Sequence, residues 1–196
     1  MYAYIKGKLV EKNPAYVIIE AGGIGYHVNI SLNTYSAVNK LDEAKLYIQH
    51  YQREDLQALY GFFDSNERRL FNLLLSVSGV GPNTTRIILS SLTPAALEQA
   101  VMNNDIVTFK QVKGVGPKTA QRIIIDLKDK IGKVSSSSGT MPILQGNTAA
   151  DEALSALVAL GFSRPKAAAA VNQIVSSEGA DSSVEDIIKK ALKMLA

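Results

Sequence analysis

Gly79-Val80-Gly81-Pro82 returns 35 residues later as Gly114-Val115-Gly116-Pro117. The correspondence runs past the glycines: Thr84 aligns with Thr119, small Thr85 with Ala120, and Ile88 with Ile123. Each copy follows an apolar stretch, Leu70-Phe71-Asn72-Leu73-Leu74-Leu75 or Ile106-Val107-Thr108-Phe109, and leads into a further helical pattern. Repetition at such a spacing marks a duplicated supersecondary unit, here helix, Gly-Val-Gly turn, helix.

The chemistry follows from the turn. Glycine supplies the positive φ of a sharp helix-helix reversal and, lacking Cβ, lets another molecule approach the backbone. Pro82 and Pro117 suit the first position of the next helix, where no amide hydrogen is needed. The free amides at that helix start, at the positive end of the dipole, form a seat for phosphate. This is a helix-hairpin-helix motif, and a pair can grip both backbones of a duplex without reading bases. The phosphate-binding residues expected are Gly79, Val80, Gly81, Asn83 and Arg86 in the first copy. In the second they are Lys113, Gly114, Val115, Gly116, Lys118, Thr119 and Arg122. A single Gly-Val-Gly turn also serves as a plain structural corner; two in register, flanked by cations, favour nucleic acid.

Charge is distributed accordingly. The chain carries net +3, yet residues 1–63 are neutral, 64–133 carry +4 and 134–196 carry −1. The positive charge sits where phosphate binding needs it. Hydrophobic content of 46% with 20% charged residues, over 196 residues, describes a soluble globular protein of two or three small domains. No run approaches a membrane span, and Met1-Tyr2-Ala3-Tyr4-Ile5-Lys6 lacks the basic-then-apolar order of a signal peptide. The absence of cysteine excludes disulfides and thiolate metal sites and fits a reducing cytoplasm.

The expected fold class is α+β and multidomain. Residues 1–63 read as β: Val17-Ile18-Ile19 is a core strand, Tyr26-His27-Val28-Asn29-Ile30 alternates, and Asn13-Pro14 and Ala21-Gly22-Gly23-Ile24-Gly25 are turns. Lys45–Tyr51 and Leu56–Phe62 form two arms of a hairpin. About five short strands in this length predict a small closed barrel such as an OB-fold. Residues 64–133 read as the helical hairpin domain, with starts at Asp64 or Ser65, Thr93-Pro94 and Asn104-Asp105. In its last helix, from Lys118 to about Lys130, Ile124 and Leu127 face inward while Arg122, Lys128 and Lys130 face out. The serine run from Val134, with Pro142 and Gly146-Asn147-Thr148, reads as a flexible linker, 134–148. Residues 149–196 read as three short helices. Leu154, Leu157, Val158 and Leu160 lie on the first, Pro165 opens the second, and Ser182-Ser183-Val184-Glu185 is a capping box for the third. The stripe of that third helix is Ile187, Ile188, Ala191, Leu192 and Leu195. A tethered bundle of this size suits docking more than catalysis.

No catalytic, metal or cofactor site is expected. His27 and His50 lie apart in strand-like runs without a carboxylate cluster. Gly114-Val115-Gly116-Pro117-Lys118-Thr119 lacks the Gly-Lys-[Ser/Thr] of an ATP phosphate loop. Two other readings stand beside DNA binding. A helix-hairpin-helix repair enzyme needs a catalytic acid, for which Asp126 and Asp129 are available, though they also suit charge pairing with Lys128, Lys130 or Arg122. In a pure protein scaffold the hairpins are only structural.

The whole chain resembles the RuvA family, the Holliday-junction-binding subunits of the bacterial branch-migration complex. The resemblance rests on Gly22-Gly23-Ile24-Gly25-Tyr26, Arg53-Glu54-Asp55, Leu59-Tyr60-Gly61-Phe62, Glu67-Arg68, Leu70-Phe71, both hairpins, Lys118-Thr119-Ala120 and Ala156-Leu157-Val158-Ala159-Leu160-Gly161-Phe162, in that order. It implies a homotetramer with barrels at its centre, binding a four-way junction alone or sandwiched between two tetramers. It further implies that Glu54 and Asp55 form an acidic pin at the junction centre. Residues 149–196 would dock the RuvB ATPase ring, and the RuvC resolvase is a further partner. The family setting is bacterial recombination and repair in the cytoplasm, with the nucleoid, under DNA damage and the SOS response. One departure is Asn83, where similar proteins often carry lysine.

Overall fold

Ile5, Leu9, Val17, Ile19, Val28, Leu46 and Ile48 are the inward residues of alternating runs, and all are buried in one core. The strands that carry them are β1 (Tyr4–Asn13), β2 (Tyr16–Ala21), β3 (Ile24–Asn29), β4 (Glu43–Gln52) and β5 (Gln57–Phe62). They close a barrel in the order β1-β2-β3-β5-β4, with β3 and β5 parallel and the other pairs antiparallel. This is the OB-like barrel expected from the sequence. The β2–β3 turn is made by Gly22 and Gly23 at φ of 61° and 78°, the paired positive values a two-residue hairpin demands. Between β3 and β4 lies a short helix, α1 (Leu32–Val38), capped by Ser31.

The computed structural model describes residues 2–138, 148–178 and 182–195, and the chain divides into two compact units, Met1–Ser138 and Gly139–Ala196. The first unit continues past the barrel into α2 (Ser65–Leu75), α3 (Pro82–Ser91), α4 (Pro94–Met102), α5 (Ile106–Lys110) and α6 (Pro117–Ser138). The side chains of Asp64, Thr93 and Asp105 cap α2, α4 and α5, as their positions foretell. Ile124 and Leu127 face inward on α6 as expected. The barrel and the helices share a core: Phe71 packs on Tyr60 and Phe62, with ring centroids 5.0 and 4.9 Å apart. Within α2, Glu67 is buried and accepts hydrogen bonds from the hydroxyls of Ser31 and Thr34 on the barrel's helix.

α6 differs from the expected boundary. Val134–Ser138, read as the start of a linker, continue the helix. Serine is only mildly unfavourable to a helix already nucleated, so lack of apolar residues does not stop one. The rest of the expected linker before Thr148 lies outside the described residues.

The second unit contains α7 (Thr148–Ala159), α8 (Arg164–Glu178) and α9 (Val184–Leu195) around Ala153, Leu157, Ala167, Val171, Ile174, Ile187 and Ala191. Gly161, at φ 98°, turns the chain after α7. The cap of α9 falls one residue later than the Ser182–Glu185 box: the Ser183 hydroxyl accepts from the Asp186 amide at 3.2 Å. Val158 and Leu160, placed by sequence on the first helix of this unit, are 40% and 61% exposed: Val158 lies off the face that Leu157 buries, and Leu160 falls one residue past the end of α7.

Candidate nucleic-acid interface

The two hairpins repeat at the level of individual hydrogen bonds. In the first, Val80 N donates to Val77 O at 3.1 Å and Thr85 N to Gly81 O at 2.9 Å. In the second, Val115 N donates to Val112 O at 3.1 Å and Ala120 N to Gly116 O at 2.9 Å. Gly79 and Gly114 take φ of 85° and 87°, where a side chain is strained. Val80, Ile88, Val115 and Ile123 are buried in one shared core and anchor each turn from below.

Above that anchor the corners are open. Gly79, Gly81, Gly114 and Gly116 are exposed, and a Cβ built on Gly81 or Gly116 meets nothing within 4 Å. The N-cap of α3, Gly81, makes no side-chain hydrogen bond. Gly116, which precedes α6, has no side chain with which to cap it. Helices α2, α4 and α5 cover their starts with a carboxylate or hydroxyl; the hairpin helices leave theirs bare. Uncapped amides at the positive end of a helix dipole attract anions.

The predicted side chains divide. Lys113, Lys118, Arg122 and Asn83 are exposed around the corners, with Thr119 half-buried. Val80 and Val115 differ from expectation: their side chains are buried and their amides already bond to Val77 and Val112, so they hold the turn. Arg86 is half-buried and donates from Nη1 to the Ala15 carbonyl of the barrel at 2.8 Å. Arg122 reaches from α6 to the first hairpin, where its Nη1 donates to Ser78 O at 3.1 Å. Lys128 donates to Asn104 Oδ1 at 3.0 Å and Lys130 to Ser76 Oγ at 2.7 Å. Each of these three cations thus bonds to an acceptor in a flanking turn and none to Asp126, one of the partners suggested by sequence; pairing with Asp129 lies outside the described side chains. Ser78 escapes sequence reading; its only signal is that it occupies the position of Lys113 in the repeat.

Glu54 and Asp55 sit elsewhere, exposed on the β4–β5 connection, which Arg53 N closes by donating to Leu56 O at 2.8 Å. The histidines take part in packing: His27 stacks on Tyr16 at 4.6 Å and His50 meets the edge of Tyr2 at 5.9 Å. Among the described residues no helix is long and apolar enough to cross a membrane.

Fold and site together define a tandem helix-hairpin-helix protein built on an OB-like barrel. Three family models match in the same order: the RuvA N-terminal domain over residues 1–61, a SAM-like helix-hairpin-helix tandem over 71–129, and the RuvA C-terminal domain over 148–196. Curated relatives from Christiangramia forsetii and Flavobacterium psychrophilum are each 48% identical over 195 residues, and one from Bacteroides fragilis is 46% identical over 202. The matches cover the whole of both chains, and each relative is named Holliday junction branch migration complex subunit RuvA. The chain belongs to the RuvA family.

Proposed function

We propose that this chain is the junction-binding subunit of a bacterial branch-migration complex. It binds four-way DNA junctions by structure, without sequence preference, and works on chromosomal DNA in the cytoplasm. The observation that carries the reading is the pair of bare, outward-facing glycine corners, repeated bond for bond in a chain with the domain order of the RuvA family. The contacts are main-chain amides around Gly79, Gly81, Gly114 and Gly116, supported by Asn83, Lys113, Lys118, Thr119 and Arg122. Phosphate contacts position a protein on DNA without specifying sequence.

In the proposed assembly the barrels of a homotetramer meet at the centre. Glu54 and Asp55 project there as an acidic pin that repels phosphates and keeps separated strands from re-pairing. Only an open junction offers four duplex arms to four hairpin pairs at once, and linked contacts multiply into avidity. The second unit, over 149–196, recruits the RuvB ring, which supplies ATP hydrolysis; this chain acts as the targeting subunit.

Native mass measurement with a synthetic four-way junction tests the reading. Four or eight copies on the junction are expected, with linear duplex of equal length a poor competitor. Equal competition by linear duplex overturns it.

A further inference from the structure

The two hairpins repeat backbone for backbone but not charge for charge. At the 35-residue offset, Lys113, Lys118 and Arg122 of the second fall opposite Ser78, Asn83 and Ile87 of the first. The first hairpin's own arginine, Arg86, is directed to the Ala15 carbonyl of the barrel. Yet the first corner is as open as the second, with the start of α3 uncapped and free space above Gly81. A phosphate seated there would meet main-chain amides and no cation from its own repeat.

A cation reaches it from the other repeat. Arg122 lies on α6, but its Nη1 donates to Ser78 O at 3.1 Å, and the Cβ position of Gly79 lies 3.9 Å from the same nitrogen. That bond uses one of the five N–H donors of a guanidinium. Arg122 is exposed, so the remaining donors are open to a ligand. A planar fork can hold a carbonyl along one edge and face an anion with another, which a lysine point charge cannot do.

We infer that Arg122 is the phosphate-binding cation of the first hairpin, supplied across the repeat by α6. Its ligand is a phosphodiester of the polynucleotide backbone. The assignment rests on the DNA-binding reading above. It supplies the first corner, where α3 carries Asn83 opposite Lys118 of α6, with a cation from the other repeat.

Salt dependence of junction binding by the full-length protein tests it. Arg122→Ala should weaken binding several-fold and lower the log-log salt slope by about 0.9 for each subunit engaged, the value of one released counterion. Adding Asn83→Lys to Arg122→Ala should restore slope and affinity, because it returns a cation to the first corner. Arg122→Lys should recover only part of the loss. An unchanged slope in Arg122→Ala would make the residue a brace between turns and overturn the inference. A lost slope that Asn83→Lys fails to restore would assign Arg122 to the second corner, with the same result. Wild-type protein that does not prefer a junction over linear duplex would remove the parent reading instead, an outcome separate from either.

Discussion

Thr34 Oγ1 donates to Glu67 Oε2 at 2.7 Å, and through this bond a buried carboxylate on α2 is tied to the barrel's own helix. Ser31 donates to the other oxygen, and Thr34 Oγ1 in turn accepts from Phe63 N at 3.1 Å. Burial pushes the Glu67 carboxyl above its ordinary value; the two hydroxyls oppose the shift and the charge of Asp64 adds to it. The acid group thus sits at the seam between barrel and hairpins.

The sign of the resulting pH dependence is fixed. A carboxyl whose pKa is raised by folding contributes stability that is full below its unfolded value, about 4.3, and lost as pH rises through the folded value. Urea midpoints of wild type and Glu67→Gln should therefore diverge over that window, the wild type losing ground as pH rises. A difference between the two that stays constant with pH would contradict the shift. Glu67→Ala, which strands two hydroxyls and opens a cavity, should cost about 2 kcal/mol or more.

The bare start of α3 makes an unusual prediction for stability. Gly81 has extended backbone, φ −91° and ψ 173°, and free space above it, so Gly81→Ser fits without strain. A serine N-cap would satisfy the open amides and should stabilise the fold by a few tenths of a kcal/mol. The same hydroxyl would occupy the proposed phosphate seat. Thermal unfolding should show no loss of stability while gel shifts show weaker junction binding. Gly114→Ala, by contrast, should destabilise by about 1–3 kcal/mol, since its φ of 87° is strained for any residue with Cβ.

Of the two residues that follow the hairpin prolines, Lys118 should matter more. Lys118→Ala removes an exposed cation, whereas Asn83→Ala removes a neutral side chain. Junction affinity at low salt should fall further in the first variant, and its salt slope should drop by about 0.9 for each phosphate lost. Equal losses in a gel-shift series would count against this order.

Under the proposed docking role of residues 149–196, Leu160 is the position to test: at 61% exposed it is the most exposed large apolar side chain among the described residues of that unit. Leu160→Asp should leave junction binding and the unfolding temperature unchanged while abolishing stimulation of the ring motor. Wild-type stimulation by this variant would move the docking surface elsewhere.

The corners were legible in sequence because glycine and proline declare their backbone geometry, and because the repeat puts both copies in register. The barrel was legible through alternation and the Gly22-Gly23 turn. Other features depend on contacts that no spacing encodes. Residue type does not reveal that the Val80 and Val115 amides close on Val77 and Val112, nor that Arg86 faces the barrel. The helix α1 has seven residues, of which Thr34 and Val38 are buried, too weak a stripe to read. Ser31, Thr34 and Glu67 lie 36 residues apart at most, and only folding makes them one cluster.

Phe71 packed against Tyr60 and Phe62, together with Arg86 bonded to the Ala15 carbonyl, ties the barrel to the hairpins at two separate points. Under the proposed function, a strand pulled at the corners would load the barrel through both of these contacts.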